Sequence, residues 1–207
     1  MPAKRAYGMD QDFYPWSPIV ARLVLRWPDN ARVALAVIVN LEHWEWEVPA
    51  GTPVAVSPMG GPEGMWTGNQ PQFPDIGGYG NHEYGNRVRI FRILAVLDKY
   101  GIRPTLALDK PAPGREQGAV ADHYPRLVKE GQRRGAEFIA HGLSRRRIIH
   151  IDMSEDGERD YIRASIAAVE RTTGTRPVGW SGPDFQETPN PQSARRRGHS
   201  LRLRLGQ

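Results

Sequence analysis

The sequence predicts an α/β fold, because four short apolar runs alternate with segments of helical periodicity. The four runs cover residues 33–40, 105–108, 137–141 and 178–181. Near-continuous apolar runs of this length are typical of strands that are buried on both faces, as in parallel sheets. The order strand, helix, strand, helix, strand, helix, strand favours a parallel sheet or barrel that is built from βα units.

The first third of the chain contains one predicted strand between two irregular stretches. Residues 1–30 are rich in Pro and Trp and show no period, so we expect an irregular N-terminal arm. Residues 33–40 (VALAVIVN) form the first predicted strand. Residues 48–84 are dense in Gly and Pro. A loop of this length in a compact domain is usually functional or disordered.

Three helices are predicted between the strands. Apolar residues recur at helical spacing in the first of them: Val88, Phe91, Leu94 and Leu97. Gly101 is a plausible end for this helix. The second helix covers residues 124–134 and is closed by Gly135. The third begins after Ser154, a residue type that caps helix N-termini well, and ends at Gly174.

Composition excludes several classes of protein and site. The chain has 207 residues, of which 39% are hydrophobic and 25% are charged, as is usual for a globular domain. It has no cysteine, which excludes disulfides, thiolate zinc sites and cysteine nucleophiles. No apolar run reaches the length of a membrane span, and no apolar signal core follows the N-terminus. We therefore expect a cytoplasmic protein with no membrane partner.

The formal net charge of +5 suggests an anionic partner, but the charge is unevenly distributed. Residues 191–207 contain five arginines and no acidic residue, so residues 1–190 are neutral by formal charge. Arg145, Arg146 and Arg147 form a second basic run with little aromatic interleaving. We therefore expect no nucleic-acid partner.

Two side chains that follow predicted strands are candidates for chemistry. In the segment 137–142, His141 and Gly142 lie at the carboxyl end of the predicted strand. Ligands bind at this end of the strands in α/β sheets and barrels. A histidine there can exchange protons or bind a metal near neutral pH. Glu42 follows the first strand in the same way, and we expect it to face the same bound molecule as His141.

Four segments together resemble the polysaccharide deacetylase family, which is also called the NodB-homology or carbohydrate esterase family 4 group. They are Val39-Asn40-Leu41-Glu42-His43, Glu83-Tyr84-Gly85-Asn86-Arg87, residues 137–142 and Arg176-Pro177-Val178-Gly179-Trp180-Ser181-Gly182-Pro183. The resemblance is strongest to the branch that includes PuuE-type allantoinases. It implies hydrolysis of carbon–nitrogen bonds outside peptides. It also implies a distorted parallel (β/α)7 barrel over residues 31–190, incomplete at the C-terminus, after an arm at residues 1–30.

The resemblance also implies roles for individual residues. Glu42 would be the general base and His141 an acid or base in proton transfer. The residues that would contact the substrate are His43, Asn86, Arg87, Arg145, Trp180 and Pro183. Structural explanations remain open, namely an ion pair for Glu42, a core histidine for His141, helix capping for Asn86 and Arg87, and a solvated surface for Arg145. The implied partner is a small amide, sugar or ureide substrate, and a homo-oligomer is an open alternative.

The sequence departs from the family pattern at the metal site. Typical deacetylases end the first strand with paired aspartates, where this chain has Asn40-Leu41-Glu42. They also have a second histidine four residues after the first, where this chain has Arg145. The usual Asp-His-His site is therefore not intact, and we assign no metal ligand, while a divalent metal such as zinc stays open. This departure favours an alternative hypothesis, a non-catalytic relative that binds a small ligand or a partner chain.

The basic tail at residues 191–207 differs from the continuation that the family leads one to expect. A helix and then a strand with an Asp-Trp pair should follow residues 187–190. With suitable codons, a shift of one nucleotide turns residues 196–207 into A-A-G-I-R-Y-V-C-D-W-A. We therefore expect the tail after Pro191 to be out of frame and the activity of the shortened barrel to be impaired. The encoding DNA tests this expectation.

Overall fold

The computed structural model describes residues 16–24, 26–46, 76–109, 120–144, 149–150, 153–177 and 179–183. They belong to two compact units, Met1–Leu35 and Ala36–Gln207. The described residues of the first unit form two short 3-10 turns, Ile19–Ala21 and Pro28–Asn30, and are otherwise irregular. The predicted tail at residues 191–207 lies outside the described residues.

The second unit contains a parallel sheet of three strands in the order β1, β2, β3. The strands are β1 (Ile38–Leu41), β2 (Thr105–Leu108) and β3 (Glu137–Ala140). Helices separate them along the chain, as the βα alternation predicts. The α/β class with parallel strands is therefore confirmed. The strands within the described ranges do not close a barrel.

The fourth predicted strand is present as a single parallel bridge between Trp180 and Ala140. The Ala140 N–H donates to the Gly179 carbonyl at 3.2 Å, and the Ser181 N–H donates to the Ala140 carbonyl at 3.0 Å. Residue 178 lies outside the described part of the chain. The bridge places the Trp180 segment beside β3, on the side away from β2.

The first predicted strand is wrong over residues 33–37. Strand β1 begins only at Ile38, and Val33 and Leu35 are 76% and 72% exposed. Within the described residues β1 pairs with β2 alone, so it is an edge strand. Only its last residue, Leu41, is buried, because full burial of a strand requires neighbours on both sides and layers on both faces.

A continuous helical run covers residues 76–99. It consists of α1 (Ile76–Tyr84), a π-helical segment (Gly85–Arg89) and α2 (Ile90–Lys99). The predicted loop is therefore wrong over residues 76–84, and its remaining residues 48–75 lie outside the described ranges. The sequence of α1, IGGYGNHEY, contains three glycines and no buried residue, so neither propensity nor apolar period could reveal the helix.

The face that α2 buries differs slightly from the predicted one. Ile90, Leu94 and Leu97 are buried, whereas Phe91 is 37% exposed. Leu94 belongs to one core cluster with Leu106 of β2, so α2 covers the sheet. A register of i, i+4, i+7 replaces the i, i+3, i+6 pattern read from the sequence, and both periods fit a helix.

Within its described residues the unit has three further helices: α3 (Val120–His123), α4 (Pro125–Arg133) and α5 (Glu155–Thr173). Helices α4 and α5 confirm the second and third predicted helices. Ser154 caps α5 by accepting a hydrogen bond from the Gly157 N–H at 3.1 Å, and Gly174 ends it with φ of +71°. No helix in the described ranges is both long enough and apolar enough to cross a bilayer.

Candidate active site

Three ionisable residues stand in one row at the carboxyl edge of the sheet. The register pairs Leu41 with Leu108 and Leu108 with Ala140. The next residue of each strand is Glu42, Asp109 and His141 respectively. The backbone pairing of β2 with β3 continues into this row, since the His141 N–H donates to the Leu108 carbonyl at 2.8 Å. Ligands of parallel sheets bind at this edge.

The side chains of Glu42 and His141 are in direct contact. Glu42 Oε1 lies 3.1 Å from His141 Nε2, and His141 Nδ1 lies 2.8 Å from the Ser181 carbonyl oxygen. Because a carbonyl only accepts hydrogen bonds, the hydrogen of Nδ1 is required for that contact. The contact between Nε2 and the carboxyl group requires a second proton. The pair therefore holds one proton that either partner can carry, and the imidazole side chain is only 2% exposed.

Asn86 holds the backbone that carries Glu42. Its side-chain amide donates to the Glu42 carbonyl at 2.8 Å, and the residue is 6% exposed. It lies in the π-helical segment Gly85–Arg89, inside the helical run rather than at its start, so it is not a helix cap. Single π-turns occur frequently at functional sites.

Asp109 is a buried acid that was not among the predicted site residues. It is 2% exposed, and its Oδ2 accepts a hydrogen bond from the His43 N–H at 2.5 Å. Burial raises the pKa of Asp109 well above its usual value, and the charges of Glu42 and Glu45 act in the same direction. Its position directly after a buried strand is the same signal that selected Glu42.

Histidine and tryptophan rings stack beside the row. The His43 ring lies 4.4 Å from the His123 ring, and the Trp44 ring lies 4.6 Å from the His82 ring. Burial lowers the pKa of His43 to about 4, and the charges of His123 and His82 contribute to this. His123 is exposed and His82 is half-buried, whereas the rings that they stack on, His43 and Trp44, are buried.

Gly142 forms a tight turn after His141. A Cβ atom on Gly142 would lie 2.4 Å from Pro183 Cγ and 2.4 Å from the Tyr161 hydroxyl oxygen, and φ is +87°. Trp180 packs edge-on against Tyr161, with ring centroids 6.2 Å apart. Trp180 is 8% exposed and Pro183 is fully buried, so both side chains pack around this turn.

Of the predicted substrate contacts, Arg87 pairs with a neighbouring acid and Arg145 lies outside the described residues. The Arg87 guanidinium lies 2.5 Å from Glu83, one helical turn earlier, and its side chain is 68% exposed. Arg145 is outside the described ranges. The exposed Arg87 side chain is therefore paired with a largely buried carboxyl group of its own helical run.

The residues present do not fit a metal site of the family type. No group of three His, Asp or Glu side chains that could hold a metal ion occurs in the described part of the chain. His43 and His123 stack at an interplanar angle of 29°, so each ring faces the other with its π surface. We therefore derive no step through a metal ion.

Comparison with known proteins shows a likeness in structure. No protein-family model matches the chain, and no curated protein sequence matches it. The crystal structure of PuuE allantoinase matches with a TM-score of 0.63 and 24% identity, over 91% of this chain and 59% of that one. A Pseudomonas aeruginosa protein assigned as a polysaccharide deacetylase matches with a TM-score of 0.58 and 24% identity, over 83% of this chain and 56% of its own.

A Mycobacterium smegmatis protein assigned as a polysaccharide deacetylase gives a similar result. Its TM-score is 0.58 at 22% identity, over 84% of this chain and 52% of that one. The chain thus spans between half and three fifths of the length of these structures. The structural neighbours confirm the resemblance that the four sequence segments predicted, and they establish a shared fold over most of the chain.

Proposed function

We propose that this chain, whose fold is that of the polysaccharide deacetylases and PuuE allantoinase, is a hydrolase of carbon–nitrogen bonds outside peptides. The observation that carries the proposal is the contact of 3.1 Å between Glu42 and His141 at the carboxyl edge of the parallel sheet. A carboxyl group and an imidazole that share one proton are suited to general acid–base chemistry.

Hydrolysis of an amide requires an activated water molecule and a proton for the leaving nitrogen. In the proposed reaction the Glu42 carboxylate takes a proton from a water molecule. At the same time the oxygen of that water attacks the carbonyl carbon of the substrate. The carbon–nitrogen bond then breaks, and the nitrogen receives a proton from the Glu42–His141 pair. The Ser181 carbonyl holds the hydrogen on His141 Nδ1, so Nε2 is the nitrogen that exchanges protons.

The substrate that we propose is a small amide of a sugar or a ureide. By their names, the structural neighbours are deacetylases and an allantoinase. In this chain Trp46 follows Glu42 by four residues, is 43% exposed, and lies edge-on to Tyr79 with ring centroids 5.0 Å apart. The exposed Trp46 ring, four residues after the base in sequence, offers a flat apolar surface for a sugar or heterocyclic ring.

The test is turnover of three substrate types by the full chain: N-acetylated sugars, allantoin and simple formamides. We expect one type to be hydrolysed, and Glu42→Gln or His141→Gln to lower kcat by about 100-fold or more. Glu137→Gln is the matched control. Glu137 begins β3 at the amino end of the sheet, where Thr105 Oγ1 donates to it at 3.1 Å. Hydrolysis that survives both site substitutions would refute the assigned roles.

The alternative function is binding without catalysis. The observation that favours it is the lack of a three-ligand metal cluster in the described residues, where the family resemblance implies one. The same three substrate types discriminate between the two functions. Calorimetric binding of one compound without any turnover, weakened by Glu42→Gln and unaffected by Glu137→Gln, would establish the alternative.

A further inference from the structure

One peptide group at the candidate site is held at both ends by buried side chains. The carbonyl of Glu42 and the N–H of His43 belong to the same planar peptide unit. Asn86 donates to that carbonyl at 2.8 Å, and Asp109 accepts from that N–H at 2.5 Å. Asn86 and Asp109 are 6% and 2% exposed. Asp109 takes no part in the proton transfers of the proposed reaction.

We propose that Asp109 is a positioning residue of the Glu42–His141 pair, acting as a neutral carboxylic acid that fixes the Glu42–His43 peptide. This inference deepens the proposed function and rests on it. The peptide unit sets the direction in which the Glu42 side chain leaves the backbone. With the peptide fixed by two hydrogen bonds, the carboxyl group of Glu42 keeps its distance of 3.1 Å to His141 Nε2.

The neutral form follows from the surroundings of the Asp109 carboxyl group. Its Oδ1 is buried and has no hydrogen-bond partner among the described residues, so an ionised form would leave a charge poorly solvated. Burial is the largest effect on the pKa of Asp109 and raises it, and the nearby charges of Glu42 and Glu45 also raise it. The backbone N–H groups of His43 and Val120 lower this pKa. These facts agree with the raised pKa of Asp109.

A neutral Asp109 also leaves the protonation of the Glu42–His141 pair undisturbed. A second negative charge near Glu42 would favour the protonated form of the pair and change how it titrates. A neutral carboxyl group supplies the acceptor for the His43 N–H without adding a charge. Asparagine supplies the same acceptor, so Asp109→Asn should preserve the site, whereas Asp109→Ala should release one end of the peptide.

The experiment follows the His141 imidazole by NMR during a pH titration of the full chain, with circular dichroism as the check of folding. We expect Asp109→Asn to titrate as the wild type does. We expect Asp109→Ala to change the His141 ring signals and their titration midpoint, because the contact of 3.1 Å between Glu42 and Nε2 is no longer held in place. Because the measurement needs no substrate, it stands even if the proposed hydrolysis is not found.

Two outcomes would overturn the inference. If Asp109→Asn shifts the midpoint as much as Asp109→Ala does, Asp109 acts through its charge and is not a neutral positioning group. If Asp109→Ala leaves the midpoint unchanged, the peptide is not held through Asp109. Should Asp109→Ala fail to fold, Asn86→Ala releases the other end of the same peptide and must also shift the midpoint. In a turnover assay, Asp109→Ala and Asn86→Ala should lower kcat more than they change KM, whereas Asp109→Asn should keep the wild-type rate.

Discussion

The hydroxyl group of Ser165 makes two hydrogen bonds to the backbone of Gly142. It accepts from the Gly142 N–H at 3.1 Å and donates to the Gly142 carbonyl at 2.9 Å. Ser165 lies in the middle of α5 and is fully buried. Because Gly142 directly follows His141, this pair of bonds fixes the helix to the residue beside the candidate acid–base pair.

We predict that Ser165→Ala destabilises the domain by about 1–3 kcal/mol, because it leaves two buried backbone groups without partners. It should also broaden or shift the NMR signals of the His141 ring. Ser154→Ala is the matched control, since Ser154 caps the exposed start of the same helix. The control should lower the free energy of unfolding by about 1 kcal/mol and leave the His141 signals unchanged. Denaturant unfolding gives the two free energies, and equal effects on His141 would contradict the prediction.

Gly142→Ala should be far more damaging than the same change at another glycine with positive φ. At Gly142 the new methyl group would lie 2.4 Å from Pro183 Cγ and from the Tyr161 hydroxyl oxygen, with φ at +87°. At Gly174, with φ at +71°, it would meet no atom within 4 Å. We expect about 1 kcal/mol of destabilisation for Gly174→Ala from backbone strain alone.

The difference between the two glycine variants isolates the steric term. For Gly142→Ala we expect more than about 3 kcal/mol, because overpacking adds to the strain. Thermal unfolding of both variants measures the difference. Similar melting temperatures would show that Pro183 and Tyr161 move aside at no cost, and that they do not shape the turn after His141.

The strands and helices that the sequence predicted well are those with an unambiguous local signal. Residues 105–108 are all buried, and their apolar run marks β2 without error. Helix α5 has a cap residue, an apolar period and a terminal glycine, so its ends were predictable within a residue. By contrast, α1 has none of these signals. It is helical as part of a run that continues into α2, and no local pattern carries that information.

The site was predictable as far as it depends on strand ends. Asp109 was predictable in the same way as Glu42 and His141, because it follows β2 in the same row. The two hydrogen bonds that hold the Glu42–His43 peptide were not predictable, because Asn86 and Asp109 come from distant parts of the chain. The stacking of His43 on His123 is likewise a product of tertiary packing, which a single sequence does not encode in any spacing.

Asn86→Ala should impair the site more than it impairs the fold. It removes the donor to the Glu42 carbonyl at 2.8 Å, and the loss of one such bond costs about 1 kcal/mol of stability. We expect kcat to fall by at least 10-fold, because Glu42 loses its fixed orientation. Asn81→Ala is the control. The Asn81 side chain is exposed, and it accepts a hydrogen bond of 3.3 Å from Arg89. A loss of activity as large in the control would contradict the prediction.

The pH dependence of stability should contain a term from His43, whose pKa in the folded state is lowered to about 4 by burial and by neighbouring histidines. The unfolded chain gives His43 its ordinary pKa of about 6.5. Between these two values the unfolded state binds more protons than the folded state, so stability rises with pH. The contribution is present above about pH 6.5 and is lost as the pH falls towards 4. Its size is about 3 kcal/mol, since each unit of difference between the two pKa values contributes about 1.4 kcal/mol.

His43→Phe separates this term from the other titrating groups, because phenylalanine is planar and apolar but does not bind a proton. Asp109 contributes with the opposite sign, since its raised pKa makes stability fall as the pH rises. Both proteins contain Asp109, so the difference between their unfolding free energies depends on pH through His43. We expect that difference, wild type minus variant, to increase from pH 4 to pH 6.5 and then to level off. A difference that does not change between pH 4 and 7 would show that His43 is protonated equally in both states, and that its ring is not buried against His123.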